Sequence, residues 1–153
     1  MNKKKILVII VILVLVVISA SLLIIGLNNR EINEKIEPSM DNVTIEIKHG
    51  TLTKTGVTVI ITDNNVNPYT YGMWFRIDKK IGDDEWQELK PIGTDISIFT
   101  EVAYVVGKNK KLELNQDWSK YYGTLETGEY RLVKQQYEDG GYKYFWVEFS
   151  IND

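Results

Sequence analysis

Beyond position 42, apolar and polar side chains take turns along the chain. Val43, Ile45 and Ile47 alternate with Thr44, Glu46 and Lys48, and Val57, Val59 and Ile61 alternate with Thr58, Ile60 and Thr62. A period of two sends successive side chains to opposite sides of a pleated strand, so these stretches predict two strands that each bury one face. Gly50 and Gly56 punctuate their connection, and a turn-rich loop over 63–68 follows, with three Asn and Pro68. A third strand is predicted over about 69–80, with Tyr71, Met73, Phe75 and Ile77 on the core side and Trp74 and Arg76 on the other. The polar turn at Gly82, Asp83 and Asp84 leads into a hairpin partner over 85–89.

The middle of the chain is less regular. Residues 96–106 are apolar enough for one or two strands but show no clean alternation. Leu112 and Leu114 predict a short strand after a turn at 108–111, and 117–122 suits one helical turn with Asp117 as its cap. The last two strands are the clearest. Tyr130, Leu132 and Lys134 alternate with Arg131, Val133 and Gln135, while Phe145, Val147, Phe149 and Ile151 alternate with Tyr144, Trp146 and Glu148. Between them, 138–142 with Gly140 and Gly141 forms a hairpin loop. Short strands with a turn signal every 8 to 12 residues or so are the pattern of an antiparallel β-sandwich, with a closed barrel as the alternative.

The front of the chain has a different pattern. From Ile6 to Leu27 there are 22 residues without a charge. As a helix they would cover roughly 33 Å, enough for a hydrocarbon core. Lys3, Lys4 and Lys5 precede this run, and the positive-inside bias keeps them in the cytoplasm and sends the rest outward. A cleaved signal peptide competes with the anchor, because Ser19, Ala20 and Ser21 are small enough for a peptidase. The apolar run continues past them to Leu27, which favours the anchor. The expected organisation is therefore a basic N-terminus over 1–5, a transmembrane anchor over 6–27, a polar linker over 28–41 and a β domain over 42–153. The β domain lies outside the cell membrane, and is secreted if the anchor is cut.

Charge and cysteine content narrow the partners. Of 18 Lys and Arg, three precede the apolar run, leaving 15 against 21 Asp and Glu, a formal net of −6 beyond it. That balance argues against a nucleic acid or an anionic surface as partner, since both need a net basic face, though a local basic patch remains open. With no cysteine there is no disulfide, no lipidated thiol and no thiolate metal site.

An ordered set of short motifs adds a family resemblance. Tyr71-Gly72-Met73-Trp74-Phe75-Arg76-Ile77-Asp78-Lys79, then Glu85-Trp86, Asp117-Trp118, Tyr122-Gly123-Thr124-Leu125, Gly128-Glu129-Tyr130-Arg131-Leu132-Val133-Lys134 and finally Val147-Glu148-Phe149-Ser150-Ile151 resemble bacterial Ig-like domains. The resemblance implies an Ig-like sandwich of the kind found in exported proteins of Gram-positive bacteria, and offers no catalytic residues to carry over. Leu125, Gly128 and Tyr130 have the spacing of a tyrosine corner, in which a Tyr at the start of the penultimate strand bonds back to the preceding loop. Where antibody domains place their disulfide, this chain has Leu132 and, on strand two, Val59 and Ile61, so an apolar pin is expected instead. Strand parity also puts Phe75 rather than Trp74 in the core.

Candidate chemistry is sparse. His49 is the single histidine and has no acidic neighbour to orient it, so a solvated strand end suits it better than a triad. Asp83, Asp84 and Glu85 lack the ligand spacing of a calcium loop. Asn42-Val43-Thr44 matches a glycosylation acceptor only by pattern. No enzyme activity and no cofactor is expected. The feature that stands out is aromatic. If strands three, six and seven share a sheet, Trp74, Arg76, Arg131, Tyr144 and Trp146 all point away from the core. Such a surface suits a protein or glycan partner, or it merely shields the strands. The expected function is thus a non-enzymatic, membrane-anchored module presenting a binding or structural surface. The alternatives are an accessory or sensory subunit contacting another membrane protein, and a small enzyme or ligand-carrying barrel.

Overall fold

The computed structural model describes residues 36–93, 102–138 and 140–153. The expected N-terminus over 1–5, the anchor over 6–27 and the linker as far as residue 35 lie outside the described residues. Among the described residues no helix is long and apolar enough to cross a membrane. The elements are β1 (Val43–Ile47), β2 (Gly56–Asp63), β3 (Thr70–Tyr71), β4 (Arg76–Lys80), β5 (Trp86–Glu88), β6 (Tyr104–Val105), β7 (Lys111–Asp117), a single helical turn α1 (Ser119–Tyr122), β8 (Gly128–Glu138) and β9 (Gly141–Ile151).

They form a three-stranded sheet in the order β1-β2-β7, a four-stranded sheet β5-β4-β8-β9 and a small β3-β6 pair, with antiparallel pairing throughout these strands. Val57, Val59, Ile61 and Leu114 of the first sheet share one core with Ile77, Tyr130, Leu132, Phe145, Phe149 and Ile151 of the second. These are the inward positions that the two-residue period selected. The sheets are open and their interior is filled by side chains, so the architecture is a sandwich and the barrel alternative falls. Leu132, Val59 and Ile61 are fully buried, as an apolar substitute for a disulfide requires. Tyr130 Oη donates to the Glu126 carbonyl at 3.0 Å, closing the tyrosine corner.

Two details depart from the sequence expectations and a third was not foreseen. First, the single strand expected over 69–80 is broken. β3 pairs with β6, whereas β4 pairs with β8, so the chain changes partners between them and residues 72–75 leave the ladder. The Lys134 ammonium reaches from the inner face of β8 to the Gly72 carbonyl in that break, at 2.7 Å. Secondly, Asp117 lies one residue before the cap position, which Trp118 occupies. Its carboxylate still accepts from the Ser119 N–H at 2.9 Å and hydroxyl at 2.6 Å, and these bonds hold its pKa below the usual range. Thirdly, the core tryptophan comes from this corner. Trp118 is fully buried, stacks on Phe149 with ring centroids 5.6 Å apart and donates its indole N–H to the Lys54 carbonyl at 3.0 Å. Phe75 is buried in the core and Trp74 is not, in keeping with strand parity.

The chain reaches the sandwich along the first part of β9. Pro38 bridges Tyr144 in parallel, the Ser39 N–H donates to the Tyr144 carbonyl at 3.0 Å, and Ser39 Oγ accepts from the Tyr144 N–H at 2.9 Å. Ile36 is buried.

Candidate outward face of the four-stranded sheet

Pairing decides which outward side chains become neighbours. Lys80 lies opposite Trp86, and Asp78 opposite both Glu88 and Arg131. Arg131 in turn lies opposite Glu148, and Val133 lies between Arg76 and Trp146. Residues opposite one another across adjacent strands, and those on the diagonal, are close enough for long side chains to meet.

The centre of this face is Arg131. Its guanidinium lies between two indole rings, 4.9 Å from the Trp86 centroid and 4.8 Å from the Trp146 centroid. A planar, weakly hydrated cation held between two negative π-faces is favourably placed for cation–π attraction. Its Nε donates to Asp78 Oδ2 at 2.8 Å, and its Nη2 lies 2.8 Å from the same oxygen in an ion pair. Asp78 also receives Arg76, whose Nη2 donates to Oδ2 at 3.3 Å and whose Nε lies 3.0 Å from Oδ1, a charge contact lacking the alignment of a hydrogen bond. Arg76 Nη1 further donates to Glu88 at 3.2 Å. One carboxylate therefore serves two guanidinium groups. Asp78 is 1% exposed and Arg131 6%, and Val133 beside them is fully buried although it lies outside the main core. Beside the ladder a shallow pocket of about 160 Å³ is lined by Trp86, Glu129, Tyr130, Glu148, Phe149 and Ser150.

Of the five residues predicted for this face, Arg76, Arg131 and Trp146 are brought together. Tyr144 shares their side of β9 but its backbone is engaged by Ser39. Trp74 lies half-buried in the break between β3 and β4, outside the ladder, because the strand that would have carried it ends at Tyr71. Trp86, Asp78 and Val133 went unpredicted. The motif containing Glu85-Trp86 was visible, and the alternation of Asp78 with Ile77 and Lys79 was a further signal.

Other candidates have simpler settings. His49 is exposed beside Gly50, and Asp83, Asp84 and Glu85 are exposed in their turn. Among the described residues no group of three His, Asp or Glu is placed to hold a metal ion.

The fold is thus an all-β antiparallel sandwich of Ig-like class. The family model for the bacterial Ig-like domain matches residues 39–146, and the chain belongs to that family. Membership points to a binding or structural module and to a generally non-catalytic group. No curated protein and no solved structure matches the chain.

Proposed function

We propose that the protein is a non-enzymatic module, tethered to the outer side of the cell membrane by its apolar N-terminal segment, which offers the outward face of the four-stranded sheet to a protein or glycan partner. The observation that carries this reading is the Trp86–Arg131–Trp146 ladder. Its rings are already held by the guanidinium, and the guanidinium by Asp78, so they lose little conformational freedom when a partner docks. Aromatic rings and Arg are also the side chains most often found at binding hot spots. The apolar run at 6–27 and the lysines before it support the tether and its direction.

A photoreactive side chain at Glu148, exposed on this face, is compared with one at Glu46, exposed on the opposite sheet, in intact cells. A discrete adduct from position 148 alone is expected. Equal adducts from both positions, or adducts from 46 only, would defeat the assignment. Retention of the chain in membranes washed with alkaline carbonate tests the tether separately.

A further inference from the structure

One end of the sandwich gathers side chains that the ladder leaves unexplained. The hairpin between β8 and β9 carries Tyr137 and Tyr142, 60% and 56% exposed, packed edge to face with ring centroids 5.3 Å apart. Tyr69, at the close of the loop between β2 and β3, donates its hydroxyl to Glu138 at 3.2 Å, and that loop exposes Val66 almost completely. The same loop is fixed to the turn before β7, where the Lys110 ammonium donates to the Asn64 carbonyl at 3.1 Å and the Asp63 N–H to the Lys110 carbonyl at 3.0 Å. This turn displays Lys108, Lys110 and Lys111, all exposed. Glu138 is ion-paired with Lys143, so its charge is met locally; Asp139 next to it lies outside the described residues, and Glu37 and Asp41 are exposed acids of the arriving segment. The opposite end, around Lys54, Trp118 and Leu125, is closed by backbone and indole hydrogen bonds.

The chain arrives at the tyrosine end, since Pro38 and Ser39 pair with Tyr144, two residues from Tyr142. Only residues 28–35 separate Ile36 from the end of the apolar run at Leu27, and eight residues fully extended span at most about 28 Å. If that run spans the bilayer, this end of the sandwich works within reach of the lipid headgroups. Tyrosine favours that layer because its ring is apolar and its hydroxyl can remain hydrated. Lysines beside it meet lipid phosphates.

We infer that the Tyr137–Tyr142 hairpin tip, with Val66 and the Lys108, Lys110 and Lys111 turn, is a lipid-contact surface that seats the sandwich on the headgroup layer of its own membrane. The inference rests on the tether proposed above. It gives the domain a set orientation, with the end around Lys54 pointing away from the bilayer.

The absence of native cysteine permits a clean test. In the full-length chain, Gly141 is changed to Cys, a position where an added side chain meets nothing within 4 Å, and Lys54→Cys provides the distal reference. Each is spin-labelled in vesicles of phosphatidylcholine and phosphatidylglycerol, and collisions with oxygen and with a water-soluble nickel chelate are compared. The expected result is a several-fold loss of chelate access with retained oxygen access at 141, full chelate access at 54, and return of the 141 label to water when Tyr137→Ser and Tyr142→Ser are added. A 141 label as open to the chelate as the 54 label, in a chain that resists alkaline carbonate, overturns the lipid contact and leaves the tether standing. Shielding of the 141 label from both reagents reports protein contact instead, and also overturns it. A chain that carbonate removes overturns the tether and this inference together.

Discussion

The inner face of the four-stranded sheet and the Asp78–Arg131 centre of its outer face are dry for different reasons. On the inner face Ile77, Leu132 and Phe149 lose water by packing against the other sheet, a non-directional effect of about 25 cal/mol per Å² of apolar area. On the outer face Asp78 and Arg131 are nearly as buried, but what holds them is charge, directed hydrogen bonds and ring stacking. An apolar face tolerates imperfect partners, whereas a buried charge without its partner is costly. The inner face carries one exception that sharpens the contrast. Lys134 is buried there, and among the described residues its amine has one backbone acceptor and no carboxylate partner.

The largest effect is expected where the outer network is broken at its hub. Asp78→Ala takes from Arg131 its bonded carboxylate and leaves Arg76 with Glu88 alone, and should lower stability by about 3–5 kcal/mol, the range for removing one partner of a buried pair. Urea titration measures it, and a loss no larger than that of an exposed carboxylate such as Glu113 would show that the two faces obey the same rules.

Lys134 should behave in the opposite way. Burial lowers its pKa from the ordinary lysine value to about 7. Between pH 7 and about 10 the unfolded chain then binds the proton that the folded chain has released, so stability rises with pH across that window. Lys134→Met should raise stability at pH 7 by on the order of 2 kcal/mol and flatten the slope, because an apolar chain of similar length needs no solvation. Melting curves at pH 7 and pH 9.5 decide it. A variant that melts lower than the parent at both would mean the bond to Gly72 outweighs the burial of the amine.

Smaller changes probe the parts of each face. Trp86→Leu removes one ring from the Arg131 stack and should cost about 1–2 kcal/mol, falling little with added salt because the site is dry. Tyr130→Phe removes only the hydroxyl that bonds Glu126 and should cost about 1 kcal/mol by the same titration. If the Tyr130 change proved the larger of the two, the corner rather than the ladder would be the main fixture of β8.

Much of this was legible along the chain. Which residues of β2, β8 and β9 face inward followed from alternation alone, as did the outward placement of Arg131 and Trp146. The tyrosine corner showed in the spacing of Leu125, Gly128 and Tyr130. The β3–β4 break was not legible, since the alternation of Tyr71, Met73, Phe75 and Ile77 runs on through it. Only the competition of two pairing partners, β6 and β8, ends the strand there. Trp118 as the core ring, and Pro38 and Ser39 as neighbours of β9, likewise depend on contacts between segments far apart in sequence.

The sequence by itself determined the two-faced strands, the absence of covalent cross-links and the abrupt change from an unbroken apolar run to an alternating one. Those properties are set by side-chain chemistry and the pleat, which are local. The tertiary structure decided that Arg131 meets Asp78, 53 residues earlier, and that Trp86 and Trp146 close on either side of it. Lateral order in a sheet is a choice among distant strands, made by the whole chain when it closes its core.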